Sequence, residues 1–89
     1  MTKIEVKVPT EKELKELGVK SWDIWTCEVS VFDWEYTEVE TCYFLEGNVV
    51  VKTKEGETEL KPGDLVTFPK GLKCVWEVKK PVRKHFKFG

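Results

Sequence analysis

The sequence predicts an all-β sandwich or barrel preceded by one short helix. Three observations carry that prediction. After Gly18 the apolar residues recur at every second position in short runs, the period of a strand with one buried face. Turn signals built on Gly and Pro separate those runs at close intervals. A complete helix start signal occurs before Gly18 and is not repeated after it.

The elements follow in order. From Lys3 to Val8, Ile4, Val6 and Val8 alternate with charged residues, which predicts a strand with one buried face, ended by Pro9. Thr10 and Glu13 have capping-box spacing, Leu14 and Leu17 share a face, and Gly18 supplies a stop, so a helix is predicted over residues 11–17. Trp25, Cys27, Val29 and Val31 alternate with Thr26, Glu28 and Ser30. The alternation slips at Phe32-Asp33-Trp34, which predicts a bend or bulge. Thr41 to Val51 is rich in strand formers and is interrupted by Glu46-Gly47-Asn48, read as a turn. Lys54-Glu-Gly-Glu57 predicts a hairpin with Gly56 at positive φ. Lys61-Pro-Gly-Asp64 and Pro69-Lys-Gly71 predict two further turns. Cys74 to Val78 and Val82 to Phe88 are the last strands, separated by Pro81.

With 89 residues the chain is one domain, residues 1–89, with a single compact core. Fifteen basic residues against sixteen acidic ones leave a net charge of -1, which gives no electrostatic ground for nucleic-acid binding. No apolar run approaches the length of a membrane span, and the first residues lack the apolar segment of a signal peptide. A cytoplasmic location is the resulting expectation. Cys27, Cys42 and Cys74 are odd in number and lack a C-x-x-C partner. They are expected to be reduced, buried thiols serving as small hydrophobes.

One segment adds more. Gly63-Asp-Leu-Val-Thr-Phe-Pro69-Lys-Gly71-Leu-Lys-Cys74 has the spacing G-x5-P-x-G-x2, followed by Cys74. Upstream, Glu40 and Gly47 stand at E-x6-G, and fifteen residues, Asn48 to Pro62, join the two segments. In this the chain resembles the cupins over roughly residues 24–88. Trp22-Asp-Ile-Trp25, Glu40-Thr-Cys-Tyr43 and Leu65-Val-Thr-Phe-Pro-Lys-Gly71 look most like the small single-domain cupins grouped with ureidoglycine aminohydrolase-like proteins. The resemblance implies a cupin-type β-barrel, a jelly roll of two antiparallel sheets, with its site inside the barrel.

The resemblance breaks at the metal ligands. The family's first two histidines fall at Trp34 and Tyr36, or at Asp33 and Glu35 if the gap before Glu40 is one residue longer. The third falls at Cys74 and the terminal Asn at Val78, so only Glu40 of the usual set remains. A catalytic first-row metal wants at least three protein ligands and an open position. Glu40 and Cys74 are two, and Glu35 or Tyr36 as a third makes an irregular set. No metal and no cofactor are expected.

Alternate residues of a strand share a face. With Glu40 and Cys74 inward, Cys42 and Phe44 follow the first and Trp76 and Val78 the second, and the family's site inside the barrel implies that Trp34, Tyr36, Glu40, Cys42, Cys74 and Trp76 converge on one pocket. Ring faces attract cations and a carboxylate pairs with them, so this set suits a small ligand with a cationic or hydrogen-bonding group. The alternative for Trp34, Tyr36 and Trp76 is that they fill a barrel without a metal. A buried carboxylate costs free energy unless paired, so Glu40 either lines a working site or pairs structurally with a hydroxyl or a lysine. Replacing it with Gln is expected to leave stability unchanged or raised in the first case, and lowered in the second. Cys74 has no evident activating base and reads as a packing residue. His85 alternates with Arg83 and Lys87 and reads as exposed. Lys79, Lys80, Arg83, Lys84 and Lys87 read as a solvated basic face.

The functional expectation is a small-molecule binding protein that works without a metal. A cupin-type enzyme using an irregular metal site or Glu40 as general acid/base is the rival, and a structural or dimer-forming barrel the third. Partners are limited to a small-molecule ligand and, at most, a second copy of the chain. Neither nucleic acid nor membrane is among them.

Overall fold

The structure, a computed structural model, describes residues 3–89 as an antiparallel β-barrel with one short helix. Its elements are β1 (Glu5–Lys7), α1 (Glu11–Leu17), a 3-10 turn (Val19–Ser21), β2 (Asp23–Cys27), β3 (Ser30–Glu35), β4 (Glu40–Thr53), β5 (Gly56–Leu60), β6 (Leu65–Phe68) and β7 (Lys73–Phe88). The helix spans the residues expected of it. Its capping box is complete, with Thr10 Oγ1 accepting from the Glu13 amide and Glu13 Oε1 accepting from the Thr10 amide. Gly18 closes it in the left-handed region at φ 68°.

Two long strands organise the barrel. One layer follows the order β1-β6-β4-β7-β2, using the first half of β4 and the second half of β7. The other uses the remaining halves, flanked by β5 on β4 and β3 on β7. Each long strand therefore crosses from one layer to the other. The crossing is a corner in which the β4–β7 register shifts between Phe44 and Val49. Gly47 sits there at φ 108°, and a Cβ on it would lie 2.6 Å from the Pro81 carbonyl oxygen. The two predicted interruptions, at Glu46–Asn48 and at Pro81, are thus corrected. They face each other and form one bulged corner of two continuous strands. Bulges bend a strand without ending it, and a proline is tolerated where the ladder is already broken.

Two other expectations are corrected. The β2–β3 slip lies at Glu28–Val29, before Phe32. There the chain leaves Val82 as partner of Cys27 and takes up Val78 as partner of Ser30, and the Ser30 hydroxyl donates to the Glu28 carbonyl at 2.9 Å. Val29 and Val31 consequently point outward, while Phe32 packs on the core. β1 has no buried face either. All three of its residues are exposed, because it only edges β6, and Ile4 just before it reaches the core.

The core between the layers is apolar. Cys42, Phe44, Val49, Val51, Leu60, Val66 and Phe68 are fully buried. They are the inward residues of β4, β5 and β6, at alternate positions within each straight segment.

Candidate functional site

At one end of the barrel the core gives way to a cavity of about 240 Å³. Its walls are Trp25 of β2, Phe32 of β3 and Trp76 and Phe86 of β7. Trp34 and Phe88, about half exposed, stand at its mouth. Tyr36, Glu40 and Lys84, all buried, make its polar end.

The polar end is built by strand register. Cys42 of β4 lies opposite Phe86 and Phe44 opposite Lys84, so β4 and β7 present their inward residues side by side. Lys84 Nζ donates to Glu40 Oε2 at 2.8 Å and to Cys42 Sγ at 3.0 Å. The Cys42 thiol also donates to Glu40 Oε2, at 3.0 Å. The ammonium lies 5.0 Å from the ring centroids of both Trp25 and Trp76, and 5.9 Å from that of Phe86. Tyr36 stacks on Phe68 with centroids 4.6 Å apart and accepts a hydrogen bond from Trp76 Nε1 at 3.1 Å. Burial, reinforced by the Glu40 charge, holds the Tyr36 phenol well above its ordinary value, so it stays protonated. Burial likewise pushes the Cys42 thiol up to about 12, with the Lys84 ammonium opposing, and the Cys74 thiol up to about 11.

Of the six residues expected to converge, Trp34, Tyr36, Glu40 and Trp76 line this cavity. Cys42 and Cys74 do not, and that expectation is corrected. Cys42 is inward but short, and it lies behind Glu40 in full burial. Cys74 packs in the core beside Trp34, with Sγ 3.7 Å from the Trp34 carbonyl oxygen. All three cysteines are unbridged, but Cys27 is only half-buried, less than expected.

Sequence reasoning missed two residues. Lys84, expected on a solvated face, is 4% exposed. The signal was available, since Lys84 shares its strand face with Val82, Phe86 and Phe88. His85, expected to be exposed, is only 9% exposed, its Nδ1 lying 3.1 Å from the Trp22 carbonyl oxygen. It does lie on the opposite face from Lys84, but the turn after α1 folds back over that face.

The cupin metal set does not fit these side chains. Among the described residues no three His, Cys, Asp or Glu side chains come together in a way that could hold an ion. Glu40 has a lysine ammonium 2.8 Å from its oxygen.

A jelly-roll barrel with an inward Glu at its cavity defines a small cupin. Within that class the chain belongs to the EutQ-like cupin domain family, whose pattern matches residues 14–86. A DUF861 family protein from Thermotoga maritima is 52% identical, with a TM-score of 0.95 over 98% of this chain and 100% of that one. A putative ethanolamine utilization protein Q from Salmonella typhimurium is 23% identical, with a TM-score of 0.67 over 73% of this chain and 53% of that one. The Clostridium difficile EutQ protein is 21% identical, with a TM-score of 0.69 over 98% of this chain and 68% of that one. These last two likenesses are likenesses of fold. No curated protein matches the chain.

Proposed function

We propose that this cupin binds a small organic ligand in the barrel cavity and does so without a metal. The observation that carries the reading is the cavity's composition, aromatic walls around a buried carboxylate with one oxygen unspent. Among the described residues every hydrogen bond to the Glu40 side chain ends on Oε2, and Oε1 receives none. Since no enclosed side-chain oxygen among the described residues lacks a partner, Oε1 opens onto the cavity. A few convergent polar groups in an apolar concavity are the usual make-up of a small-molecule site. Trp34, Tyr36, Glu40 and Trp76 are the proposed contacts, with Trp25, Phe32, Lys84 and Phe86 added to them.

Two measurements test this. A ligand that binds the native fold raises its melting temperature in proportion to saturation, and one that enters this cavity also changes tryptophan fluorescence. A screen of small aromatic compounds that moves neither signal removes the reading and favours a structural or dimer-forming barrel. An enzyme with an irregular metal site or with Glu40 as acid/base is distinguished by bound metal in elemental analysis or by turnover of the hit compounds.

The proposal extends to setting. Among the described residues no helix is long and apolar enough to cross a membrane. The unbridged cysteines support a reducing, cytoplasmic location. The protein is proposed to act as a monomer or homodimer, with neither nucleic acid nor membrane as partner. The finer grouping with ureidoglycine aminohydrolase-like cupins is proposed from Trp22-Asp-Ile-Trp25 and Glu40-Thr-Cys-Tyr43.

A further inference from the structure

We infer that Lys84 is the cavity's built-in cation, and that the ligand is therefore an uncharged, single-ring molecule carrying a hydrogen-bond donor beside an acceptor. The inference rests on the ligand-binding reading and specifies its chemistry.

The ammonium of Lys84 sits 5.0 Å from two tryptophan centroids and 5.9 Å from a phenylalanine centroid. Rings so disposed around a cation form the aromatic cage by which proteins hold ammonium ligands. Here the chain's own lysine fills the cage. Two of its three protons are directed to Glu40 Oε2 and Cys42 Sγ, leaving one among the ring faces.

Charge then decides which ligands fit. The Glu40 and Lys84 charges cancel at 2.8 Å. An incoming cation finds its cage occupied and its carboxylate already paired. An incoming anion meets Glu40 Oε1, with two Lys84 protons already spent and the third enclosed among ring faces. Either would be desolvated in an apolar cavity without a free counter-charge, which is costly. An uncharged ligand avoids that cost.

Apart from the Lys84 proton held among the rings, two polar functions remain unspent. Glu40 Oε1 is an acceptor open to the cavity. The Tyr36 hydroxyl accepts from Trp76, and its own proton has no acceptor among the described residues. Because Tyr36 is held protonated, it remains a donor. A group such as a carboxamide meets both, with N–H to Glu40 and C=O to Tyr36. The cavity, at about 240 Å³, lies below the roughly 300–1,000 Å³ of typical ligand sites, which limits the occupant to one ring with a short substituent.

The test compares three probes of similar size on the native protein. They are benzamide, benzylammonium and benzoate, titrated by NMR of the tryptophan indole N–H signals. Benzamide is expected to shift the Trp25 and Trp76 signals saturably, at least about tenfold more tightly than either charged probe. Tighter binding of benzylammonium or benzoate overturns the inference and leaves ligand binding standing. Binding of none of the three overturns both. A second arm examines the cage with Lys84→Ala. Removing the tethered cation vacates its place, so n-butylammonium is expected to raise the melting temperature of this variant and not that of the native protein. Equal effects on the two, or none on the variant, overturn the inference. If Lys84→Ala does not fold alone, recovery of native tryptophan signals on adding n-butylammonium is the readout, and its absence counts against the inference.

Discussion

Glu40 uses one oxygen for the fold and offers the other to the cavity, so its substitution has two separable effects. With Lys84 as a buried partner, Glu40→Gln strands an ammonium in an aromatic cage. Breaking a buried pair by removing one member costs about 3–5 kcal/mol. Chemical denaturation of Glu40→Gln is therefore expected to show a loss of that order, and Lys84→Met a similar one. The double variant is expected to recover most of it, because an apolar pair leaves no orphaned charge. The thiols give a pH signature. Cys42 and Cys74 are raised from an ordinary value of 9.0 to about 12 and about 11, so above pH 9 the unfolded chain ionises them first. The folded state binds more protons there, and stability is full below about pH 9 and falls as pH climbs through the raised values. Urea midpoints that stay level across this window refute the burial of the thiols, and Cys42→Ala is expected to flatten the fall. The cupin resemblance implied inward positions for Glu40, Tyr36 and Cys74, and alternation from Cys74 carried this to Trp76. Period-two alternation puts Lys84 on the face of Val82, Phe86 and Phe88, but a lysine beside Arg83 and Lys87 resembles solvated charge until its carboxylate partner is known, and that partner is forty-four residues away.

At the scale of elements, the corner between β4 and β7 is the most constrained point. A methyl group at Gly47 meets backbone at 2.6 and 2.8 Å, in addition to an unfavourable φ of 108°. Gly47→Ala is expected to lose more than the ~1–3 kcal/mol of local backbone strain alone, because the Pro81 and Val82 backbone must also move. Gly56, at φ 135° with open space around it, isolates the strain. Gly56→Ala is expected to cost no more than that range. Denaturation midpoints that rank the two in the opposite order refute the corner's geometry. Thr10→Ala, which removes a cap from a helix with no buried residue, is expected to cost about 1 kcal/mol. The helix and the Gly56 hairpin were legible because their signals are local. The corner was not. A Gly and a Pro that end strands in isolation read the same as a Gly and a Pro that bend two paired strands together, and only the β4–β7 pairing distinguishes them.

For the molecule as a whole, the donor set predicts that the purified protein carries no stoichiometric transition metal. Elemental analysis finding near one equivalent of Zn, Fe, Mn, Ni or Cu after gel filtration refutes this. The barrel class was legible because two spaced motifs fix the turns that its strands share. The cavity's closed ion pair was not, since it depends on how the two longest strands come into register.

That dependence on β7 has a consequence for how the chain comes to be folded. Among the described residues β2 and β3 pair with no strand but β7, which begins only at Lys73, long after β3 ends at Glu35. As the polypeptide leaves the ribosome, β5 and β6 can both pair back along β4 while β2 and β3 wait with open edges and Trp25 and Phe32 uncovered. Long-range pairings of this kind fold late and slowly. The interval before β7 emerges is thus the time at which the nascent chain is most prone to aggregate, and binding by a chaperone would be most useful then.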